Sequence, residues 1–235
     1  MIIPKIIHQI WSSKQKPLPP LFKKWGMSWE LLNPNYQYIC WDDNKISFFL
    51  SEYYSDKKEL LSKFPYDIQQ WDILKYLILF VYGGIYVDFD SECVRNLTPL
   101  MDDDKPLYFT SDPHYSEKSI NNSFIASVPK NDFISYVIDY CFEQALYLKF
   151  DNRVNTVLNT TGPKMLNYLY EEYPFKDQIK IIHYKYTSPI TQVDSCRILK
   201  GSESPILHGK LREAFVVHYF SGTWVSDELI IDCRS

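Results

Sequence analysis

Trp71-Asp72-Ile73-Leu74-Lys75-Tyr76-Leu77-Ile78-Leu79-Phe80-Val81-Tyr82-Gly83-Gly84-Ile85-Tyr86-Val87-Asp88-Phe89-Asp90 is the stretch that decides the fold. Ile73, Leu77, Phe80 and Val81 recur at helical spacing and Leu74 and Ile78 repeat it, so the spacing predicts a helix buried over most of its surface. Gly83 is placed to act as the left-handed stop after the last turn, and Gly84 lets the chain re-enter the fold closely. Ile85-Tyr86-Val87 is β-branched and aromatic and suits a buried strand. That strand delivers Asp88 and Asp90 to the carboxyl end of a sheet, where open α/β folds place their ligands.

The two aspartates mean little without this setting. A chain with 18 Asp among 235 residues is expected to contain about one or two Asp-x-Asp matches by chance, and this one has two. The second, Asp102 to Asp104, lies in the run Asp102-Asp103-Asp104-Lys105-Pro106, which reads as a solvated loop. Two carboxylates at one strand end repel each other unless a cation lies between them. Hard oxygen ligands favour Mg²⁺ or Mn²⁺ over zinc. A divalent ion that also bridges a diphosphate is the economical explanation; exposed strand-end aspartates without function are the alternative.

Asp72-x-x-Lys75 followed by Tyr82-Gly83-Gly84-Ile85-Tyr86-Val87-Asp88-Phe89-Asp90 resembles the central signature of the DxD-containing sugar-transfer enzymes of glycosyltransferase family 32. That group includes yeast initiating α-1,6-mannosyltransferases, lactosylceramide α-1,4-galactosyltransferases and bacterial capsule enzymes, and is distantly similar to the glucosylating domain of the large clostridial toxins. Ile3-Pro4-Lys5-Ile6-Ile7-His8-Gln9-Ile10-Trp11 is a second matching block. Trp29 with Asn33-Pro34, Trp41-Asp42-Asp43, Asn122 to Ser127, Thr161-Gly162-Pro163 and His218…Gly222-Thr223-Trp224 continue it in order. The resemblance thus runs over nearly the whole chain. It implies the GT-A nucleotide-sugar fold, a mixed and mostly parallel sheet between helices, in one minimal catalytic domain spanning residues 1–235.

Composition agrees with one α/β core, since 235 residues at 46% hydrophobic can bury a sizeable interior. A net charge of −4 argues against nucleic acid, which needs a basic face. The five cysteines are widely spaced, odd in number and form no Cys-x-x-Cys pair, which reads as reduced thiols, with one or two lumenal disulfides as the alternative. Met1-Ile2-Ile3-Pro4-Lys5 lacks the plan of a signal peptide, and the uncharged run Tyr76 to Val87 is too short to span a bilayer. A cytoplasmic enzyme of bacterial or viral type is therefore expected, with no transmembrane segment and with peripheral membrane contact left open.

Along the rest of the chain, strands are expected at Ile2 to Trp11, Tyr36 to Trp41, Leu107 to Thr110, Ser123 to Val128, Ile179 to His183 and Phe215 to Phe220. Helices are expected over Leu21 to Leu32, from Asp43 as cap to about Tyr54, over Asp56 to Lys63, from Asn131 or Asp132 to about Leu148, and from Gly162-Pro163 to about Tyr173. Asp112 to Asn121 reads as polar loop. Strands alternating with helices indicate a three-layer α/β sheet.

The resemblance implies roles for particular residues. Asp90 is the direct ligand of Mn²⁺ (or Mg²⁺), and Asp88 faces the ribose, the sugar hydroxyls and the metal's water shell. Trp11 ends the first strand and can stack on the donor's base, or is an ordinary core tryptophan. Asp72 holds donor-sugar hydroxyls. Lys75 stands where the family usually has Arg, which keeps the charge but loses the two-pronged contact; a local Asp72–Lys75 pair is the bland alternative. Tyr86 points away from Val87 and supports the ribose or packs. Asn122 approaches donor or acceptor, Gly162 opens a helix facing the site, His218 binds the metal or the phosphate, and Trp224 seals the pocket. His8 reads as a satisfied core histidine. The implied reaction is retaining transfer of a hexose from a UDP- or GDP-sugar donor to a carbohydrate or other hydroxyl acceptor, giving an α-glycoside. The competing classes are an aspartyl-nucleophile phosphatase, disfavoured by Glu92 where Thr or Val is wanted, and a non-catalytic nucleotide-sugar-binding protein.

Overall fold

The computed structural model describes residues 2–13, 17–114, 116–202 and 204–222. β1 (Ile6–Ile10) leads through α1 (Pro20–Leu32) to β2 (Gln37–Trp41), and α2 (Asp43–Tyr53) and α3 (Lys58–Ser62) lead to α4 (Asp67–Tyr82). Then come β3 (Gly84–Val87), β4 (Ser91–Cys93), β5 (Leu107–Asp112) and β6 (Ser116–Ser127). α5 (Asp132–Glu143), α6 (Arg153–Thr160) and α7 (Pro163–Glu172) precede β7 (Ile179–Ile182). α8 (Tyr184–Thr187), α9 (Gln192–Leu199) and α10 (Pro205–Leu211) precede β8 (Val216–His218).

Six strands form one sheet in the order β2-β1-β3-β6-β5-β7. The β1–β2, β1–β3 and β5–β7 pairings are parallel, and β6 runs antiparallel between β3 and β5. This is the GT-A arrangement, α/β with a mixed, mostly parallel sheet. Strand alternation divides the core between two faces. Tyr86 joins the cluster built with α2, α4, α5 and α7, while Ile85 and Val87 join the opposite cluster with Trp29 of α1. Tyr86 therefore points away from Val87, as its position in the strand predicts.

α4 is buried from Asp72 to Leu79, so the periodic apolar run does mark an internal helix. Gly83 has φ +63 with ψ −157, a positive-φ turn that is extended in ψ rather than left-handed helical. A Cβ there would lie 2.7 Å from Pro129 and 2.8 Å from the Ser127 carbonyl, and one at Gly84 would lie 2.6 Å from the Ile6 carbonyl. Both positions require glycine for the close approach as well as for φ.

Some expectations are corrected. Asp42, not Asp43, caps α2, its carboxylate accepting from the Lys45 N–H at 2.9 Å, while Asp43 accepts from the Ser12 hydroxyl at 2.6 Å. The expected loop between Asp112 and Asn121 belongs to the β5–β6 hairpin, whose partner strand begins at Ser116. α5 stops at Glu143 and a separate 3₁₀ turn, Ala145–Tyr147, follows. The last strand is three residues long and pairs outside the main sheet: β8 runs antiparallel to β4, with His218 opposite Ser91. α1 braces this ribbon, the Trp29 indole N–H donating to the Ser91 carbonyl at 3.1 Å. No described helix is long and apolar enough to cross a membrane.

Candidate active site

β1 and β3 run parallel, so their carboxyl ends open on the same side of the sheet, where a cleft of about 330 Å³ lies. The turn that carries the two aspartates is pinned from several sides. The Asp88 N–H donates to the Ser123 carbonyl at 2.9 Å, and the Asp88 carbonyl accepts from the Gln9 amide at 3.1 Å and from the Ser91 N–H at 3.1 Å. The Asp90 carbonyl accepts from the Tyr219 N–H at 2.9 Å, which ties the turn to the residue after β8.

That tie brings His218 to the aspartates. His218 Nε2 lies 3.2 Å from Asp90 Oδ1, and the other Asp90 oxygen accepts from the Ser221 N–H at 2.8 Å and the Ser221 hydroxyl at 2.7 Å. One ligand atom each from Asp88, Asp90 and His218 lie within 4.8 Å of one another. Two carboxylates and an imidazole are an acceptable set for Mn²⁺ or Mg²⁺. His218 Nδ1 is buried and has no hydrogen-bond partner among the described residues. The residues present thus fit a divalent ion. Burial works to raise the Asp90 carboxyl, but the charge of His218 and hydrogen bonds from His218 and Ser221 outweigh it and hold it down at about 2. Burial works to lower His218, but the Asp90, Asp88 and Asp112 carboxylates outweigh it and raise the imidazole above its ordinary value. Burial, together with the Asp90 charge, pushes Asp88 up against the pull of Lys75.

Behind this trio lies a buried polar layer. Lys75 Nζ sits 2.9 Å from Asp72 Oδ1 and 3.5 Å from Asp88 Oδ1, donates to the Asn122 carbonyl at 3.3 Å, and stands 4.8 Å over the Tyr86 ring. Asp72 also accepts from the Asn122 amide at 3.0 Å and from the Thr161 hydroxyl at 2.9 Å. The Tyr86 hydroxyl donates to Asp88 Oδ1 at 3.0 Å. Asp72 and Lys75 form the local pair that their spacing allows, and the same lysine reaches on to Asp88. Burial works against the Lys75 charge, but Asp72 and Asp88 outweigh it, so the ammonium is held protonated.

Trp11 borders the cleft half-buried, edge-on to Phe22 at 5.7 Å and to Phe89 at 5.8 Å. Asn122 and Gly162 also line it; Gly162 is the N-cap residue of α7. Trp224 lies outside the described residues. His8 is away from the cleft: its Nε2 meets the Gly83 carbonyl at 2.9 Å, its Nδ1 accepts from the Trp41 indole at 3.1 Å, and burial lowers it to about 4, so it is a neutral core residue. Sequence reasoning missed Ser221, which clamps Asp90, and Asp112, which lines the cleft and accepts from the Asn121 amide at 3.0 Å. A hydroxyl residue just beyond the strand-end histidine was the available signal for Ser221. Nothing local marks Asp112, because its burial comes from the unrecognised hairpin.

Strand-end aspartates that meet a histidine in an open cleft at the carboxyl edge of a mixed α/β sheet define a candidate metal and ligand site. Residues 19–107 match the family described as "Glycosyltransferase sugar-binding region containing DXD motif". Inositol phosphoceramide mannosyltransferase 1 of Schizosaccharomyces pombe is 30% identical over 176 residues, 73% of this chain and 52% of that protein. Mannosyl phosphorylinositol ceramide synthase SUR1 of Saccharomyces cerevisiae is 28% identical over 227 residues, 94% of this chain and 56% of that protein. The chain therefore spans about half the length of these relatives. Among solved structures, the PaToxG glycosyltransferase superposes with a TM-score of 0.57 at 19% identity, covering 91% of this chain and 89% of that one. The resemblance read from the motifs stands: the chain carries the DXD sugar-binding region of glycosyltransferases on a GT-A fold. The cytoplasmic expectation is corrected, because most of the relatives matched over two thirds or more of the chain are yeast lipid mannosyltransferases, although an uncharacterised glycosyltransferase of Acanthamoeba polyphaga mimivirus is 27% identical over 95% of this chain and 84% of that protein.

Proposed function

We propose that residues 1–235 form the catalytic domain of a retaining, metal-dependent glycosyltransferase that moves a hexose from a nucleotide sugar to a hydroxyl acceptor. The observation that carries this reading is the convergence of Asp88, Asp90 and His218, with ligand atoms within 4.8 Å, beside the aromatic group Trp11, Phe22 and Phe89 in one cleft. In this reading Asp90 and His218 hold Mn²⁺ or Mg²⁺, and Asp88 shares the ion and meets donor hydroxyls. The bound ion would neutralise charge on the departing diphosphate as a Lewis acid.

The chain's own residues supply the rest. Trp11 stacks on the donor base. Tyr86 orients Asp88 through its hydroxyl, and Lys75 balances Asp72 and Asp88 so that both stay ionised beside the donor. Asp72 and Asn122 offer hydrogen bonds to the donor sugar, and Gly162 at the start of α7 lets substrate approach the backbone. Both Asp72 oxygens already accept bonds, from Lys75 and Asn122 on one side and Thr161 on the other, which disfavours it as a glycosyl nucleophile. The family resemblance implies front-face attack, with the leaving phosphate taking the acceptor's proton, which turns an α-linked donor into an α-glycoside.

Mannose as the sugar and a phosphoinositol-bearing lipid as the acceptor are the choices that the relatives' names favour. The phosphatase reading loses support because Glu92 accepts from the Tyr219 hydroxyl at 2.7 Å, as a structural partner within the β4–β8 ribbon. The test is release of GDP or UDP from a panel of nucleotide sugars with Mn²⁺, run against phosphate release from phosphomonoesters. Phosphate release without nucleotide release overturns the proposal, and binding without turnover of either favours a binding protein.

A further inference from the structure

The cleft is polar where Asp72, Asp88, Asp90 and His218 meet, but a second stretch of its wall is apolar apart from the Trp71 indole N–H. Ile68 and Trp71 on α4 and Val157 and Leu158 on α6 line it, with Pro163 at the start of α7. Helical spacing explains the join: Ile68 and Asp72 are four residues apart on α4, as are Trp71 and Lys75, so one helix face changes from apolar to ionic within a turn. A carbohydrate could set its C–H face on the Trp71 ring, but hydroxyls turned towards Ile68, Val157, Leu158 and Pro163 would find no partner once water is displaced.

Outside the cleft, α6 is preceded by the run Tyr147-Leu148-Lys149-Phe150, in which Tyr147 is 70% exposed, Leu148 42% and Phe150 40%. Exposed lysine within that run is followed by Arg153 at the start of α6, its guanidinium 5.3 Å over the Tyr66 ring. Arg153 and Val157 are four residues apart on α6, so the cationic and apolar groups follow one helix face from the surface towards the cleft. Asp151 lies between the two cations, so the segment carries little net charge, and its exposed apolar side chains flanked by polar groups suit the interface of a bilayer through burial rather than through charge.

We infer that the Ile68–Trp71–Val157–Leu158 wall is the subsite for the alkyl segment of a lipid acceptor, and that the Tyr147–Phe150 run meets the bilayer from which that lipid enters. The inference rests on the proposed glycosyl transfer, in which the lipid's hydroxyl head faces Asp72 and the donor. Ile68 and Leu158 belong to no core cluster and are half-buried, so Ile68→Gln and Leu158→Gln probe the wall without hollowing the interior.

The test uses a phosphoinositol lipid with a short brominated acyl chain, kept monomeric, and follows quenching of tryptophan fluorescence. Saturable quenching is expected, most of it lost in Trp71→Phe, with affinity at least tenfold weaker in the Ile68→Gln/Leu158→Gln double variant. In transfer assays KM should fall by up to about fourfold per methylene added to the acceptor chain, a dependence that the double variant flattens. Quenching indifferent to Trp71→Phe, quenching by vesicles but never by monomers, or inositol phosphate binding as well as the lipid would each overturn the subsite. Nucleoside diphosphate release from GDP-mannose without acceptor tests the donor reading separately, so loss of that activity with quenching intact overturns the transfer reading and leaves a lipid site.

Discussion

Lys75→Met removes the cation at the centre of the buried polar layer and keeps most of the side chain's volume. Four contacts go with it: 2.9 Å to Asp72, 3.5 Å to Asp88, 3.3 Å to the Asn122 carbonyl and 4.8 Å to the Tyr86 ring. The Lys75 and Asp72 side chains are only 4% and 5% exposed, so solvent does not screen that pair, whereas Asp88 is 28% exposed and adds less. Breaking a buried pair by removing one partner destabilises by about 3–5 kcal/mol, because the remaining charge stays desolvated. Two hydrogen bonds, from Asn122 and Thr161, still reach Asp72, which places the expectation near about 3 kcal/mol. The pH dependence follows. Burial already pushes the Asp72 carboxyl up, and losing Lys75 pushes it further. A carboxyl with a raised folded-state pKa holds its proton in the folded protein, so stability is greater below the unfolded value of about 3.9 and is lost as pH rises through the folded value. The penalty should be full at pH 7 and shrink towards pH 4. Urea unfolding of metal-free wild type and Lys75→Met across that range measures it. A penalty under about 1 kcal/mol at pH 7, or one that grows on acidification, refutes the account of Lys75 as the counter-charge to Asp72.

Asp90→Asn should abolish Mn²⁺ binding in the presence of nucleotide while thermal unfolding stays cooperative, since its carboxylate lies at a cleft edge; calorimetry with full Mn²⁺ affinity in this variant would sink the metal assignment. Trp11→Ala should weaken GDP or UDP binding by about 1–3 kcal/mol, the range for base stacking, with folding checked by circular dichroism. Because the surrounding carboxylates raise His218, a proton competes with the ion at ordinary pH. Mn²⁺ affinity should therefore climb as pH rises through the raised His218 value, above about 6.5, and titrations at several pH values check it. In the metal-free protein the Asp90–His218 attraction has the opposite sense. It stabilises fully below the unfolded histidine value and is lost as pH rises through the folded one, so a metal-free stability that increases over that window argues against the pair.

The ionic side of the cleft was legible because it is local. Asp72, Lys75, Tyr86, Asp88 and Asp90 lie within one helix–glycine–strand unit, and the period of 3.6 changing to 2 at Gly83-Gly84 determines which of them face the same way. The need for glycine at Gly84, where the chain passes close to the parallel neighbour β1, was also legible, whereas Gly83 keeps a positive φ but is extended rather than left-handed helical and is crowded by Ser127 and Pro129 at the end of antiparallel β6. The β5–β6 hairpin was not. Its polar residues between Asp112 and Asn121 mimic solvated loop, yet Ser111, Asp112 and Asn121 are buried because partners elsewhere satisfy them, such as the Tyr184 N–H donating to the Ser111 hydroxyl at 2.7 Å. Polarity predicts exposure only where no such partner exists. α6 was missed for a related reason: it opens on polar Arg153 and its apolar positions, Val154, Val157 and Leu158, cover little more than one turn, so the helix also depends on the Asn152 cap and on packing against α4 and α7.

What joins the local motif into a site is a pairing that no short-range pattern contains. Ser91 opposite His218 in the β4–β8 ribbon, with Tyr219 bonded to the Asp90 carbonyl and Ser221 to its carboxylate, links residues more than 120 positions apart. Tyr219 reaches Asp90 through its backbone N–H and ties the ribbon through its side chain, whose hydroxyl donates to Glu92 and whose ring stacks on Trp25, whereas His218 and Ser221 bring side chains to the Asp90 carboxylate itself. That arrangement makes the carboxyl-terminal segment a working part of the candidate metal site rather than a cover over it. A chain cut before Val216 would keep both aspartates and the six-stranded sheet and yet lose both residues, His218 and Ser221, that bond to the Asp90 carboxylate. Its Asp90 carboxyl should then rise from its depressed value, because burial would no longer be opposed by His218 and Ser221.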